Sequence, residues 1–140
     1  MGETSAATGR TRTIDVRVRA DFEELAMLRA VVETVALFAD FGIDRVTDIR
    51  LALEEIATAL VQDTVDNGEL ECCFDYGPTS MLVRICATTI SGTGPDRHSL
   101  GWHIVSTLTE DLTVHVEPYD ERRRGHRTII ETVWSSGGNR

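Results

Sequence analysis

The sequence contains no lysine, since all 14 of its cationic residues are arginine. Mechanisms that need a catalytic lysine are therefore excluded, and so is a Walker-type phosphate loop, whose lysine contacts the nucleotide phosphates. Long apolar runs are also missing, because none approaches the roughly 20 residues that a membrane-spanning helix needs. Residues 1–12 lack the apolar core of a secretory signal. We therefore expect a cytoplasmic protein that does not enter a membrane.

Cysteine and histidine do not form a recognisable metal or disulfide motif. The three cysteines show no CxxC spacing and no HExxH helix occurs, so no metal site is predicted. Cys72 and Cys73 are neighbours on a predicted strand, so their side chains point to opposite faces of the sheet. Core packing explains these two residues and Cys86, while a redox role is left open.

The charge of the chain is strongly negative. Against 14 arginines stand 23 aspartates and glutamates, which gives a formal net charge of −9. Nucleic acids and anionic membrane surfaces attract positively charged proteins, so direct binding to either is not expected. A basic partner protein matches this charge better.

The apolar spacing predicts a single α+β domain. Residues 13–20 alternate as in a half-buried strand, and from Asp21 to Phe38 the apolar residues recur every three or four positions, as in a helix. Gly42 is predicted at the end of this first helix and Asp44 as the cap of the second. The core stripes of the two helices are predicted as follows: Phe22, Leu25, Leu28, Val31, Val32, Val35 and Phe38; then Val46, Ile49, Leu53, Ile56 and Leu60.

Two strands, a third helix over residues 100–112 and two further strands complete the predicted order. Because helices occur in two places among neighbouring hairpins, we expect a two-layer sandwich. Its layers are a mainly antiparallel mixed sheet and three helices on one face. The domain is predicted over residues 13–134, with disordered tails at 1–12 and 135–140.

Three short segments are candidates for function, and each has a plain structural alternative. Glu55 and Ala59 lie one turn apart on the second helix, where an acidic, solvated edge is the alternative to an active site. Gly92 and Gly94 follow a strand, as in phosphate-binding loops, but two glycines after a strand are also typical of a turn. A cluster of arginines, which is either a solvated hairpin turn or an anion site, comprises Arg122, Arg123, Arg124 and Arg127.

Taken in order, these segments resemble a known family. The second helix "VTDIRLALEEIATALV", a hairpin, the "SGTG" loop and "HSLGWHIVSTLTEDLTV" resemble anti-sigma factors of the RsbW and SpoIIAB type, which have the Bergerat (GHKL) ATPase fold. The chain is most similar to the actinobacterial UsfX-like branch of anti-sigma-F factors, over residues 14–134. The resemblance implies a sigma factor partner, an anti-anti-sigma (STAS) partner and a possible homodimer.

The resemblance also implies roles for individual residues. Glu55 falls at the position of the family's general base. Gly92, Gly94 and Gly101 fall at its nucleotide-binding glycines. Arg29 on the first helix falls at a sigma-contacting arginine, although a solvated helix charge is an equal alternative.

The chain departs from the family at the positions that bind Mg²⁺ and adenine. Ala59 replaces the asparagine that holds Mg²⁺, and a methyl group cannot ligate a hard cation. Ile90 replaces the aspartate that binds adenine, and only "PDRHSL" replaces the lid over the phosphates. Phosphoryl transfer depends on positioning and metal, so these losses predict a pseudokinase with no cofactor. ATP and Mg²⁺ are expected only if the chain is still an active kinase.

Three functions are compatible with these features. The leading hypothesis is an anti-sigma factor of the stress response that sequesters an alternative sigma factor of the sigma-B or sigma-F type and is released by a STAS partner. The alternative is an active ATP-dependent serine kinase that phosphorylates an anti-anti-sigma factor. The third is a regulatory domain that binds a protein other than sigma.

Overall fold

The computed structural model describes residues 11–135. A short 3-10 turn at Phe22–Glu24 precedes the first α-helix. The helices are α1 (Leu25–Phe38), α2 (Ile43–Asp63) and α3 (Leu100–Leu108). The strands are β1 (Arg12–Arg19), β2 (Glu69–Tyr76), β3 (Ser80–Thr89), β4 (Asp111–Asp120) and β5 (Gly125–Ser135).

The five strands form one sheet in the order β1-β2-β3-β5-β4. Each of the four pairings is antiparallel. The helix α2 contacts α1 on one side and α3 on the other, and it packs on β3 and β2. The predicted α+β class, with a sheet and three helices in two layers, is confirmed.

The core lies between α2 and the inner face of the sheet. All five residues of the predicted α2 stripe are buried. They pack against strand residues that alternate inward, among them Phe74, Ile85 and Trp134. Burying a large apolar side chain contributes about 1.5–3 kcal/mol, so this stripe fixes the side of α2 that faces the sheet.

The predicted ends of the first two helices need correction. Asp21 begins the 3-10 turn, and α1 starts only at Leu25. Gly42 does not end the first helix but is the N-cap of α2, and Asp44 lies inside its first turn. Phe22 and Phe38, predicted in the core, are 56% and 76% exposed. Both lie at the ends of the helical segment, in the 3-10 turn and at the last residue of α1.

The third helix is shorter than predicted, because α3 ends at Leu108 and β4 begins at Asp111. Leu112, predicted as its last apolar position, instead packs against the core from β4. The strands begin at Arg12 and end at Ser135, one residue beyond each predicted domain boundary. Residues 1–10 and 136–140 of the predicted tails lie outside the described residues.

Candidate functional site

A cavity of about 270 Å³ lies where the C-terminal end of α2 meets the loop between β3 and α3. Of the predicted nucleotide-site residues, Gly94 lines it, together with Ala59 at the Mg²⁺ position of the resemblance, whereas Glu55, Gly92 and Gly101 are not among its lining residues. Its lining also contains two carboxylates, Asp63 and Asp96, and among residues 11–135 no cationic side chain lines it. The full lining is Ala59, Leu60, Gln62, Asp63, Thr89, Ser91, Gly94, Pro95, Asp96, Ser99 and Thr128.

The predicted general base, Glu55, faces the start of α3. A Cβ atom placed on Gly101 would lie 2.5 Å from the Glu55 Oε1 atom. Glycine at position 101 therefore lets the carboxylate of α2 approach the backbone at the N-terminus of α3. A helix N-terminus carries partial positive charge, so this approach is electrostatically favourable. The structure thus brings Glu55 and Gly101 together, one helical turn away from the cavity residue Ala59.

The two glycines of the "SGTG" loop are explained by packing inside the chain. A Cβ atom on Gly92 would lie 2.8 Å from the His126 ring, whose Nδ1 atom is 2.9 Å from the Glu117 carbonyl oxygen. Gly94 has a φ of +78°, a conformation that favours glycine, and it lies against Val116. These glycines therefore have structural roles of their own, whether or not a ligand binds.

The loop is fixed by Asp63, the last residue of α2. One carboxylate oxygen accepts the Ser91 backbone N–H at 3.1 Å, and the other accepts the Ser91 hydroxyl at 2.6 Å. Ile90, at the adenine-binding position of the family, is 66% exposed and does not line the cavity. The carboxylate nearest to this loop thus comes from α2 and already holds protein atoms.

A pair of buried threonines forms the floor of the cavity. The hydroxyl oxygens of Thr89 on β3 and Thr128 on β5 are 2.9 Å apart, and both residues are at most 1% exposed. The Thr89 hydroxyl also lies 3.0 Å from the Ser91 carbonyl oxygen. A polar residue at an inward position of an alternating strand, such as Thr128 in "RTIIETVW", is a sequence signal that could have identified this floor.

The N-terminus of α3 is capped by its own chain. The Ser99 Oγ atom accepts the Trp102 N–H at 3.1 Å and donates to the Asp96 carbonyl oxygen at 2.9 Å. The Asp96 carboxylate accepts the His98 N–H at 2.9 Å. The short "PDRHSL" segment is therefore a compact capped turn, and it places the Asp96 carboxylate shortly before the start of α3.

The predicted partner-binding residue, Arg29, does not line the cavity and forms an ion pair between α1 and α2. Its guanidinium donates to both Glu54 carboxylate oxygens, at 3.2 and 2.7 Å. The hydrogen bond and then the charge of Glu54 raise the pKa of Arg29. A second ion pair joins the same helices, with the arginine on α2 and the glutamate on α1. Its Arg50 Nη1 and Glu33 Oε2 atoms are 2.8 Å apart. Arg29 thus ties the helices together, and its role in partner binding stays a prediction.

The three cysteines are free thiols, and their surroundings disfavour the reactive thiolate. Burial raises the pKa of Cys72 to about 12. Burial, a hydrogen bond to Asp15 and the charge of Asp75 raise the pKa of Cys73 to about 11. Burial also raises the pKa of Cys86. Because thiolates are the species that react in disulfide exchange, these values oppose the redox route that the sequence leaves open.

Within residues 11–135, no three side chains of His, Cys, Asp or Glu are arranged as metal ligands. None of the helices in this range has both the length and the apolarity to cross a bilayer. The predicted arginine cluster is divided in the structure. Arg122, Arg123 and Arg124 lie exposed in the β4–β5 turn. The Arg127 Nη2 atom lies 3.4 Å from the Glu71 Oε1 atom.

Comparison with known proteins links the chain to one group. No family model matches it. Over 101 residues, 72% of the chain, it is 29% identical to the anti-sigma-F factor RsbW of Mycobacterium tuberculosis, strains CDC 1551 / Oshkosh and ATCC 25618 / H37Rv. The matched region spans 60% of the length of these relatives. This similarity confirms the resemblance to RsbW-type anti-sigma factors that the motifs indicate.

Proposed function

We propose that the protein is an anti-sigma factor that binds and sequesters an alternative sigma factor of the sigma-B or sigma-F type without using ATP. The observation that carries this proposal is the similarity to an anti-sigma-F factor over 72% of the chain. The cavity at the family's nucleotide position supplies the second half of the proposal, because its chemistry does not suit Mg-ATP.

The lining of the cavity opposes a triphosphate. Mg²⁺ needs oxygen ligands, and Ala59 offers none where the family places its ligand. In the part of the chain that the structure describes, no cationic residue lines the cavity, whereas Asp63 and Asp96 do. With Glu55 also close to the start of α3, phosphates would meet carboxylates where they need positive charge. The volume of about 270 Å³ is also below the roughly 300–1,000 Å³ of most ligand pockets.

The charge of the chain supports a sigma factor as the partner. Sigma factors bind DNA and so carry basic faces, and a chain with a net charge of −9 presents the complementary potential. Such complementarity raises the rate of encounter and helps to select the partner. Inhibition then follows from occupancy, since a sigma factor held by this protein cannot bind RNA polymerase at the same surface.

Release of the sigma factor would likewise need no ATP. Without phosphoryl transfer, an anti-anti-sigma protein with a STAS domain would displace the sigma factor by competition for an overlapping surface. The complex would form in the cytoplasm, where RNA polymerase acts, and it would serve a stress response. A homodimer of the chain is a further part of the proposal, and the molar mass of the purified protein in solution tests it.

Isothermal titration calorimetry tests the proposal directly. Each sigma factor of the host is titrated separately into the purified chain, and Mg-ATP is titrated into the chain alone and into the complex. We expect saturable binding of one alternative sigma factor and no heat from Mg-ATP. Binding of no sigma factor would refute the proposed function, and saturable ATP binding would refute its ATP-independent part.

An active serine kinase is the second candidate, because Glu55 lies so close to Gly101 that a side chain at position 101 would meet its carboxylate. Mg-ATP at 100 times its Kd would raise the free energy of unfolding by about 2.7 kcal/mol. A thermal shift with Mg-ATP, together with labelled phosphate transfer to a STAS protein, would detect this activity. Transfer by the wild-type chain that is lost in Glu55→Gln would establish the kinase.

A further inference from the structure

The turn between α1 and α2 exposes large apolar side chains. Leu37, Phe38 and Ile43 are 56%, 76% and 76% exposed. They lie within seven positions of one another, at the end of α1 and the start of α2. Exposed apolar residues that are grouped in this way mark interaction sites more often than scattered ones do.

Acidic residues lie close to this apolar group along the chain. Asp40 and Asp44 are exposed and Asp48 is half-buried. Among the described residues, 11–135, no ion pair within 4.0 Å involves any of the three. Arg45, the cation of the same helical turn, points elsewhere, with its guanidinium carbon 5.2 Å from the centre of the Trp134 ring. We call Leu37, Phe38, Asp40, Ile43, Asp44 and Asp48 the helical tip.

We propose that the helical tip is a docking surface for an amphipathic basic segment of the sigma factor, with apolar side chains on Phe38 and Ile43 and cations opposite Asp44 and Asp48. This inference rests on the proposed function, because it names where the same partner binds. The chemistry of the surface selects the partner: apolar contacts supply affinity, and the carboxylates around them supply selectivity for positive charge.

The same charges disfavour two other occupants. A second copy of the chain, packed tip to tip about a two-fold axis, would place aspartates against aspartates. An anionic membrane surface would be repelled as well. A basic protein segment is the occupant that satisfies both the apolar and the acidic parts of the helical tip.

The test compares two double variants, each of which replaces two exposed apolar side chains by glutamine, at different places on the surface. Phe38→Gln with Ile43→Gln removes the apolar part of the helical tip. Ile90→Gln with Leu100→Gln changes two similarly exposed side chains away from the helical tip. Leu100 precedes Gly101, which faces Glu55, and Glu55 lies about 18 Å along α2 from Ile43 at roughly 1.5 Å per residue. The control therefore lies outside the proposed contact. All proteins are the full chain, and their thermal unfolding midpoints confirm that they are folded.

The sigma factor that binds the wild-type chain is titrated into each variant. We expect the Kd of the tip variant to rise by about tenfold or more, as for the central residues of an interface, and that of the control by less than about twofold. Equal affinities for wild type and tip variant would overturn the docking surface while leaving the anti-sigma function intact. If the wild-type chain binds no sigma factor, both the proposed function and this inference fail.

Charge is tested separately. Asp44→Asn with Asp48→Asn should slow association by about threefold or more at low ionic strength and weaken its dependence on salt. Asp40 is left unchanged, so that this pair and its control each remove two charges. The control, Glu110→Gln with Glu121→Gln, removes the same net charge from exposed sites elsewhere. An equal effect of both pairs would show general attraction and overturn the charge selectivity of the tip.

If a second copy of the chain occupies the helical tip, the molar masses of the variants in solution will show it. If the wild-type chain is dimeric in solution and the tip variant is monomeric while the control stays dimeric, the helical tip is a dimer surface. That outcome would overturn the inference. A molar mass that is the same in all three proteins would support it when the tip variant also loses sigma affinity.

Discussion

The two ends of α2 carry opposite kinds of surface. At the C-terminal end, the polar side chains bond to one another: Asp63 holds Ser91, and Thr89 faces Thr128. At the N-terminal end, Phe38 and Ile43 are largely exposed. Among the described residues, no buried side-chain oxygen or nitrogen lacks a partner. The end of α2 that resembles a nucleotide site therefore uses its polar groups within the fold, while the other end has apolar surface free for a partner.

This comparison predicts that changes at the C-terminal end of α2 affect stability most. A Cβ atom on Gly125 would lie 2.5 Å from the Thr89 carbonyl oxygen and 2.9 Å from side-chain carbons of Thr88 and Val65. Because backbone cannot move aside cheaply, we expect Gly125→Ala to lower the free energy of unfolding by about 3 kcal/mol, measured by urea denaturation. Gly42 at the other end has nothing within 4 Å of such a Cβ.

The control for this prediction is Gly42→Ala. Gly42 is the N-cap of α2, and alanine is a poorer N-cap, so a loss of about 0.5 kcal/mol is expected there. Equal losses of unfolding free energy at both positions would mean that small shifts relieve the crowding around Gly125. The two ends of α2 would then not differ in how tightly they are packed.

The threonine pair gives the next largest effect. Thr128→Val leaves the buried Thr89 hydroxyl without one of its partners, and we expect a loss of about 2 kcal/mol. The double variant Thr89→Val with Thr128→Val should lose less than the sum of the single variants, because it removes both hydroxyls. The matched control near the N-terminal end is Thr47→Val, whose exposed hydroxyl bonds only to the Ile43 carbonyl oxygen. A loss there similar to that of Thr128→Val would contradict the comparison.

The sequence predicted the parts of this fold that depend on repeated apolar spacing. The stripe of α2 and the inward residues of β2 recur with the periods of a helix and a strand, so burial of Leu53 or Phe74 follows from the pattern alone. Helix ends were predicted less well. Gly42 suits both the end of one helix and the start of the next, and only the chain direction in space decides between them.

The candidate site was predicted in part. The pattern and the resemblance located Ala59 and Gly94, which do line the cavity. Asp63 was missed because its partner Ser91 is 28 residues away, and a contact of that kind depends on how the end of α2 meets the end of β3. The packing of His126 against Gly92 depends in the same way on the pairing of β3 with β5.

The ion pair between α1 and α2 should have a smaller effect than the threonines. Both side chains of the Arg29–Glu54 bridge are about one-third exposed, at 39% and 31%, so solvent and salt screen them. We expect Arg29→Gln or Glu54→Gln to lower the thermal unfolding midpoint by roughly 1–3 °C, and the double variant to lose little more. Losses that simply add, or that persist unchanged in 1 M salt, would show that the two residues do not act as a pair.

The smallest effect on stability is expected at the helical tip. Phe38 is 76% exposed, whereas Phe41, three positions further along, is 4% exposed. Phe38→Gln should therefore change the free energy of unfolding by less than about 0.5 kcal/mol, while Phe41→Gln should cost about 3 kcal/mol or more. Urea denaturation of the two variants measures the difference. A Phe38 that stabilised the isolated chain as much as Phe41 would be part of the core, and its exposure would then be no reason to expect a partner there. If Phe38 contributes little to folding, binding to a partner is the remaining role for this exposed phenylalanine of the helical tip.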